Sequence, residues 1–369
     1  MSGDEKDEPG GIGARLKGLI SGREANSALE AEVLPFSNPG DPGGPAEEDE
    51  TEKPVFSVDP DWPTKTGAWV GGRNAVSNDP EEVRSNAMGR VSQLRSTVTT
   101  QSDRMFLANL YELLGERNLS LPDFPETPLR LEQLLKEEEP NSLQVMRCIE
   151  ADPQLVGRVW QRARSARFPS APSSLDMAVS RIGMVEVWRL SLESALDTVE
   201  IRPGPFKDIS AKVRIHGAIV GDVTAGLAGQ RRGPAFLSGL LHDVGQILIL
   251  QVASQGTPEL TTVRRVLKEF HTDISVLVTD AWRLSPEIIP GVAAHHDPNA
   301  VRAAARDLSR LLCLADIAAY GELDRRRKQN SHFLQAMAKI TTSRALAGKA
   351  MLLASQCIER MEADGLISI

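Results

Sequence analysis

All six histidines of this 369-residue chain follow residue 215. One of them, His242, stands beside Asp243 in FLSGLLHDVGQILIL (236–250), an otherwise almost wholly apolar stretch. Phe236, Leu237, Leu240, Leu241, Val244, Ile247 and Leu248 recur at helical spacing and leave a narrow stripe of Ser238, Gly239, His242, Asp243, Gly245 and Gln246. Such a helix belongs in a core, with its polar stripe facing other polar groups. A carboxylate taken out of water requires a partner or a metal. Asp316, enclosed in LSRLLCLADIAAY, poses the same problem. His295 and His296 end another helix, IIPGVAAHHDP, which Asp297 and Pro298 stop. Adjacent helical residues point about 100° apart, so the pair addresses one cavity from two angles. His216 sits in the apolar VRIHGAIVGDV, and His271 starts a further helix with Thr272 and Asp273 as its caps.

Any one of these histidines, taken alone, reads as a hydrogen-bonded core or capping residue. Together, His216, His242, His271, His295 and His296 with Asp243 and Asp316 form a nitrogen–oxygen ligand set that suits Fe, Mn, Zn, Co or Ni. The set is large enough for two metals, where a bridging carboxylate and a bridging water serve in-line attack on a phosphoester. No GxxxxGK[ST], GxGxxG or GxSxG stands in a suitable context, so phosphate-loop and serine-hydrolase chemistry have no support. His332 reads as a surface residue.

The elements that must position this set are helical. From Asp103 the chain runs through DRMFLANLYELLGER, with Phe106, Leu107, Leu110 and Leu113/Leu114 on one face, and then a Pro-rich break, LPDFPETP. The patterns predict helices over 127–138, 141–150, 152–166, 174–181, 183–199, 208–229, 233–253, 258–270, 272–283, 285–296, 301–322 and 331–364. Period-two alternation is not sustained anywhere, so the fold class is all-α. The break IRPGPF (201–206) marks a border between two helical halves, 101–205 and 206–322, with 323–369 as a C-terminal helical extension. Residues 1–100 hold 18 Asp/Glu against 10 Lys/Arg, the whole net charge of −8. They include SNPGDPGGPAEEDETEKP and are predicted to be a disordered acidic tail. Within it, IGARLKGLI (12–20) has the spacing of a small docking helix or of a transient one. The rest of the chain is neutral, which gives no reason to expect nucleic-acid binding. Three widely spaced cysteines, Cys148, Cys313 and Cys357, fit a reducing cytoplasm better than a disulfide framework. No run of eighteen apolar residues predicts a membrane span. The basic run in DRRRKQ reads as a solvated loop or a contact for phosphate or an acidic partner.

The order His216, His242-Asp243, Asp316, with the first two 26 positions apart, resembles the HD superfamily of metal-dependent phosphohydrolases. Longer stretches resemble its HD-related output branch, HDOD. They are LPDFPETPLRLEQLL, IEADPQLVGRVWQRARSARF, LDMAVSRIGMVEVWRL, AFLSGLLHDVGQILIL and HTDISVLVTDAWRLSPEIIPGVAAHHDP, in the family's order and together spanning about residues 115–320. The resemblance implies an HD-domain-like helical bundle and a bacterial signalling or regulatory protein that acts on a protein partner. It also implies a divalent metal (Fe, Mn, Zn, Co or Ni) at His216, His242, Asp243, His271, His295, His296 and Asp316, and leaves room for a nucleotide ligand. The alternative it carries is a phosphodiesterase-like hydrolase with Asp243 at the catalytic metal. Two positions depart from the pattern. HDxGK reads HDVGQ, so Gln246 stands where a lysine would offer phosphate a cation. The aNSa signature reads RARSARF, with Arg164 for the asparagine and Ser165 kept. No GYP follows the His-Asp pair, unlike the cyclic-di-GMP phosphodiesterase relatives.

Overall fold

The computed structural model describes residues 77–367, apart from 122–123, 138–140, 166–167, 169, 230–231, 297–307 and 327–332. All regular structure among the described residues is helical, and it divides into two compact units. The predicted tail up to residue 76, including IGARLKGLI, lies outside the described residues, as do Arg231, Asp297, Pro298 and His332.

One unit comprises Glu126–Arg164 and Phe168–Leu190. Three of its helices start on residues whose side chains accept from otherwise unpaired N–H groups. Asn141 serves the Leu143 and Gln144 amides, Asp152 the Leu155 amide ahead of Pro153, and Ser174 the Met177 amide. Leu131, Ile149, Leu155 and Val159 are fully buried there, and Arg162 pairs with Glu186 at 2.6 Å.

The other unit contains every residue of the predicted site. It begins earlier than expected. Residues 77–100 fall within the predicted tail, yet Pro80–Thr97 is a helix, α1. Asp79 accepts from the Glu81 amide, Pro80 opens the first turn, and Val83, Ala87, Val91 and Leu94 are buried. The signal was present as DPEEV followed by apolar residues at helical spacing; the acidic composition of the preceding stretch masked it. Helix α2, Gln101–Gly115, packs on α1, and the Arg84 guanidinium donates to the carbonyls of Leu114, Glu116 and Arg117 at the end of α2. A cation at a helix C-terminus meets both the free carbonyls and the helix dipole.

Continuing along this unit, α3 is Pro205–Ala228, α4 Arg232–Leu241, α5 Val244–Ser254, α6 Leu260–Ala281, α7 Ile289–Ala294, α8 Leu308–Arg326, α9 Phe333–Ile340 and α10 Arg344–Ala363. Helices α3 and α4 cross at near backbone contact: a Cβ on Gly239 would lie 2.6 Å from the Gly221 Cα. Arg232–Ser254 has the length and apolarity of a membrane-crossing helix by composition, but 94% of its most apolar window is buried inside the protein.

Four of the predicted helices are divided differently in the structure. Residues 233–253 do not form one helix: His242 and Asp243 make a turn between α4 and α5. The imidazole Nδ1 donates to the Gly239 carbonyl at 2.7 Å, the acceptor a continuous helix would give to the amide of residue 243. Residues 258–270 and 272–283 are instead one helix, α6, so His271 is mid-helix and Thr272 and Asp273 are not caps. Residues 331–364 divide at Ser343, whose hydroxyl accepts from the Leu346 amide and starts α10.

Candidate metal centre

The seven predicted ligand residues come from five places in the second unit. His216 is on α3, His242 and Asp243 on the α4–α5 turn, His271 on α6, His295 and His296 just past α7, and Asp316 on α8. All seven side chains meet, although His216 and Asp316 are 100 residues apart. Two groups form, each with one donor atom per residue and all its donors within 4.8 Å of one another. The first is His216, His242 and Asp243; the second is Asp243, His271, His295 and His296. Asp243 belongs to both.

Local backbone chemistry sets the tautomers of three of these imidazoles. The Nδ1 of His242 donates to Gly239 at 2.7 Å, that of His271 to Leu267 at 2.7 Å and that of His295 to Val292 at 2.6 Å. Each ring is thereby held by a carbonyl three or four residues earlier, and each Nε2 faces inward. Nε2 of His242 stands 3.3 Å from Asp243 and 3.6 Å from Asp316. Nε2 of His271 and of His295 stand 3.5 and 3.6 Å from Asp243 Oδ1. Among the described residues, His242 Nε2, His295 Nε2 and Asp243 Oδ1 are buried without a hydrogen-bond partner. Buried polar atoms left unpaired in this way are costly unless something else binds them. Ring nitrogens tied through Nδ1 to backbone carbonyls are the arrangement that orients histidine toward a metal. The donor set therefore fits a divalent cation.

On the α8 side, His216 Nε2 lies 2.8 Å from Asp316 Oδ1, and its ring stacks on Tyr320 at 4.0 Å between centroids. Tyr320 was not singled out from sequence, although it lies one helical turn beyond Asp316; its phenol is pushed well above the usual value by burial and by Asp243 and Asp316. On the other side, His296 Nε2 approaches His271 Nε2 at 2.9 Å, and Thr272 Oγ1 lies 3.2 Å from that same nitrogen.

The charges are distributed unevenly. Burial opposes a charge on His242, but the adjacent Asp243, with Asp316, outweighs it and raises the imidazole to about 10. Burial also opposes the two carboxylates, yet His242 holds Asp243, and His216 with His242 hold Asp316, well below the usual carboxylate range. Burial lowers His271, against the pull of Asp243, and lowers His296 strongly, with His295 and His271 adding to it. One side of the cluster is thus an imidazolium between two carboxylates, while on the other burial favours the neutral forms of His271 and His296.

Gln246 is buried on the first turn of α5, so the position where the resembled pattern has lysine carries an uncharged amide. Of the basic run at 324–328, Arg325 and Arg326 pair with Glu322 at 2.6 and 2.9 Å, and Arg326 also meets Glu359 and Glu362.

Compared with known proteins, residues 121–298 match the family described as HDOD domain. No curated protein matches the chain. Among solved structures, a protein of Shewanella amazonensis SB2B provisionally named a metal-dependent phosphohydrolase is similar at a TM-score of 0.51 and 17% identity, over 70% of this chain and 99% of its own. An HDOD domain protein with unknown function from Geobacter sulfurreducens is similar at a TM-score of 0.51 and 19% identity, over 77% of this chain and 99% of its own. At these identities the likeness is one of fold.

Proposed function

We propose that this protein, which is an HDOD protein through residues 121–298, is a signalling regulator acting through a protein partner and holding a divalent metal centre. Its ligands are His216, His242, Asp243, His271, His295, His296 and Asp316. The observation that supports the reading is the inward convergence of buried His242 Nε2, His295 Nε2 and Asp243 Oδ1, none with a hydrogen-bond partner, where the Nδ1 atoms of both rings are already committed to backbone carbonyls. A divalent metal in such a site supplies Lewis acidity and lowers the pKa of water. The chain's own contribution is to bring residues from five places in the sequence into two adjoining donor groups that share Asp243, with Asp316 beside His216 and His242. Metal analysis of the purified full chain, before and after chelation and refilling with Mn²⁺, Fe²⁺ or Zn²⁺, tests it. Bound metal near one or two equivalents is expected; a chain that stays metal-free after refilling overturns the reading. The three cysteines are free and buried, which suits a reducing compartment such as the cytoplasm.

Metal entry has a proton balance. In the metal-free protein the charged form of His242 contributes stability that is complete below about 6.5, the ordinary histidine value. That contribution is lost as pH rises through about 10. Between these limits a metal competes with the His242 proton, so metal uptake at pH 8 is expected to release about one proton from this side chain. Calorimetry in two buffers of different ionisation heat reads the release; identical heats in both would contradict it.

A second reading, a metal-dependent phosphohydrolase, is favoured by one feature: two donor groups share Asp243, as a bridging carboxylate does between two metals. Against it stands Gln246, which cannot supply charge to a phosphoryl group. The metal-loaded full chain is therefore expected to turn over cyclic dinucleotides and other phosphodiesters weakly or not at all with Mn²⁺ or Fe²⁺. Robust turnover, abolished by Asp243→Ala in a protein that keeps its helical circular dichroism, would promote the enzyme.

A further inference from the structure

Helices α1 and α2 precede the region matched by the HDOD family, yet they grip the helix that carries His271 at two points. At its start, α6 has Glu259 as N-cap with no side-chain capping bond of its own. Asp103 of α2, only 2% exposed, takes that place: it accepts from the Glu259 amide at 2.9 Å and from the Thr262 hydroxyl at 2.9 Å. A carboxylate there meets the free N–H groups and the positive end of the helix dipole.

Farther along α6, Arg90 of α1 forms an ion pair with Asp273 at 2.6 Å, lies over the Phe270 ring at 4.8 Å and reaches toward the Glu269 carbonyl. Asp273 is buried and two residues from His271. The opposite side of the same turn is fixed by α5, where the Gly245 amide donates to Ser275 Oγ at 2.9 Å. His271 is therefore held between two contacts, one from α5 and one from α1.

We propose that Arg90 is a positioning residue for the metal centre: through Asp273 it sets the placement of the α6 turn that presents His271 to Asp243, His295 and His296. The inference rests on the metal-binding reading above. Its physical basis is tolerance. Metal–ligand distances are met within about 0.2 Å, so a small displacement of this turn disables the His271 ligand while leaving the fold intact. Arg90 is the ion-pair partner of buried Asp273, and its loss favours movement of that carboxylate toward water.

The test is Co²⁺ titration of the full chain, read by its visible absorption, in wild type, Arg90→Ala, Arg90→Lys, Asp273→Ala and the double variant Arg90→Ala/Asp273→Ala. Arg90→Ala should weaken one equivalent by about 10-fold, the lower end for loss of an outer-shell support. The equivalent held by His216, His242 and Asp243 should stay within about twofold. Arg90→Lys should recover part of the loss, because it restores the charge but not the planar fork. Asp273→Ala should show a similar loss, and the double variant should be no worse than either single one, since both remove the same contact. Wild-type affinity for both equivalents in folded Arg90→Ala overturns the proposal and leaves the metal reading standing. A wild type that binds no Co²⁺ overturns the metal reading itself. Should Arg90→Ala lose its helical circular dichroism, the double variant decides, because it leaves no buried carboxylate behind: wild-type affinity there overturns the proposal.

Discussion

Asp243→Ala is expected to empty both halves of the proposed metal centre at once, whereas His216→Ala and His296→Ala each impair one half. The asymmetry follows from membership: Asp243 belongs to both donor groups, while His216 belongs only to the first and His296 only to the second. Loss of a mere outer-shell partner costs about 10–100-fold in metal affinity, so loss of this shared ligand should exceed about 100-fold at each site. The same substitution acts on the metal-free protein. Asp243 is the main influence sustaining a proton on buried His242, and removing it leaves that ring with a weaker partner in Asp316. A penalty of about 1–3 kcal/mol to folding is expected from the disturbed polar cluster. Elemental analysis and thermal unfolding, run side by side on the three variants, separate the two effects. Retention of one full equivalent of tightly bound metal by Asp243→Ala would show that the carboxylate is not shared.

The second large effect is at Gly245, two residues past Asp243. A Cβ there would stand 2.1 Å from the His271 carbonyl oxygen and 2.7 Å from the Ser275 amide nitrogen. Both are backbone atoms inside α6, so no side-chain rotation relieves the overlap; α5 and α6 must separate. Gly245→Ala should therefore lie at the upper end of overpacking penalties, about 3 kcal/mol, which lowers the melting temperature by about 6–12 °C in a unit of this size. Because the α5–α6 contact places His271 against Asp243, metal affinity should fall with it. A melting temperature within about 2 °C of wild type would mean the two helices are free to part, and the close approach would lose its claim to position the site.

How much of this was legible beforehand depends on the range over which each signal acts. Helix identity was legible wherever apolar residues repeat at helical spacing, because one buried face is a local property of the chain. The convergence of the seven residues was legible as well: carboxylates inside apolar runs, such as Asp243 and Asp316, demand partners wherever they are placed, and the histidines were the available ones. Helix α1 goes unrecognised in the sequence because acidic and Pro/Gly-rich composition outweighs the DPEEV cap and the apolar spacing of Pro80–Thr97. The break at His242 and the continuity of α6 through His271 were beyond reach for a different reason. Each turns on a side chain choosing one partner over another: His242 Nδ1 takes the Gly239 carbonyl, while Asp273 turns to Arg90 instead of capping a helix. Local sequence offers these choices and does not decide between them. Amino-acid types alone determined that buried imidazoles and carboxylates had to find one another. Only the packing of α3, α6, α7 and α8 around the His242-Asp243 turn decided that they meet as two groups sharing Asp243, because that sharing depends on sub-ångström placement by contacts between helices far apart in the chain.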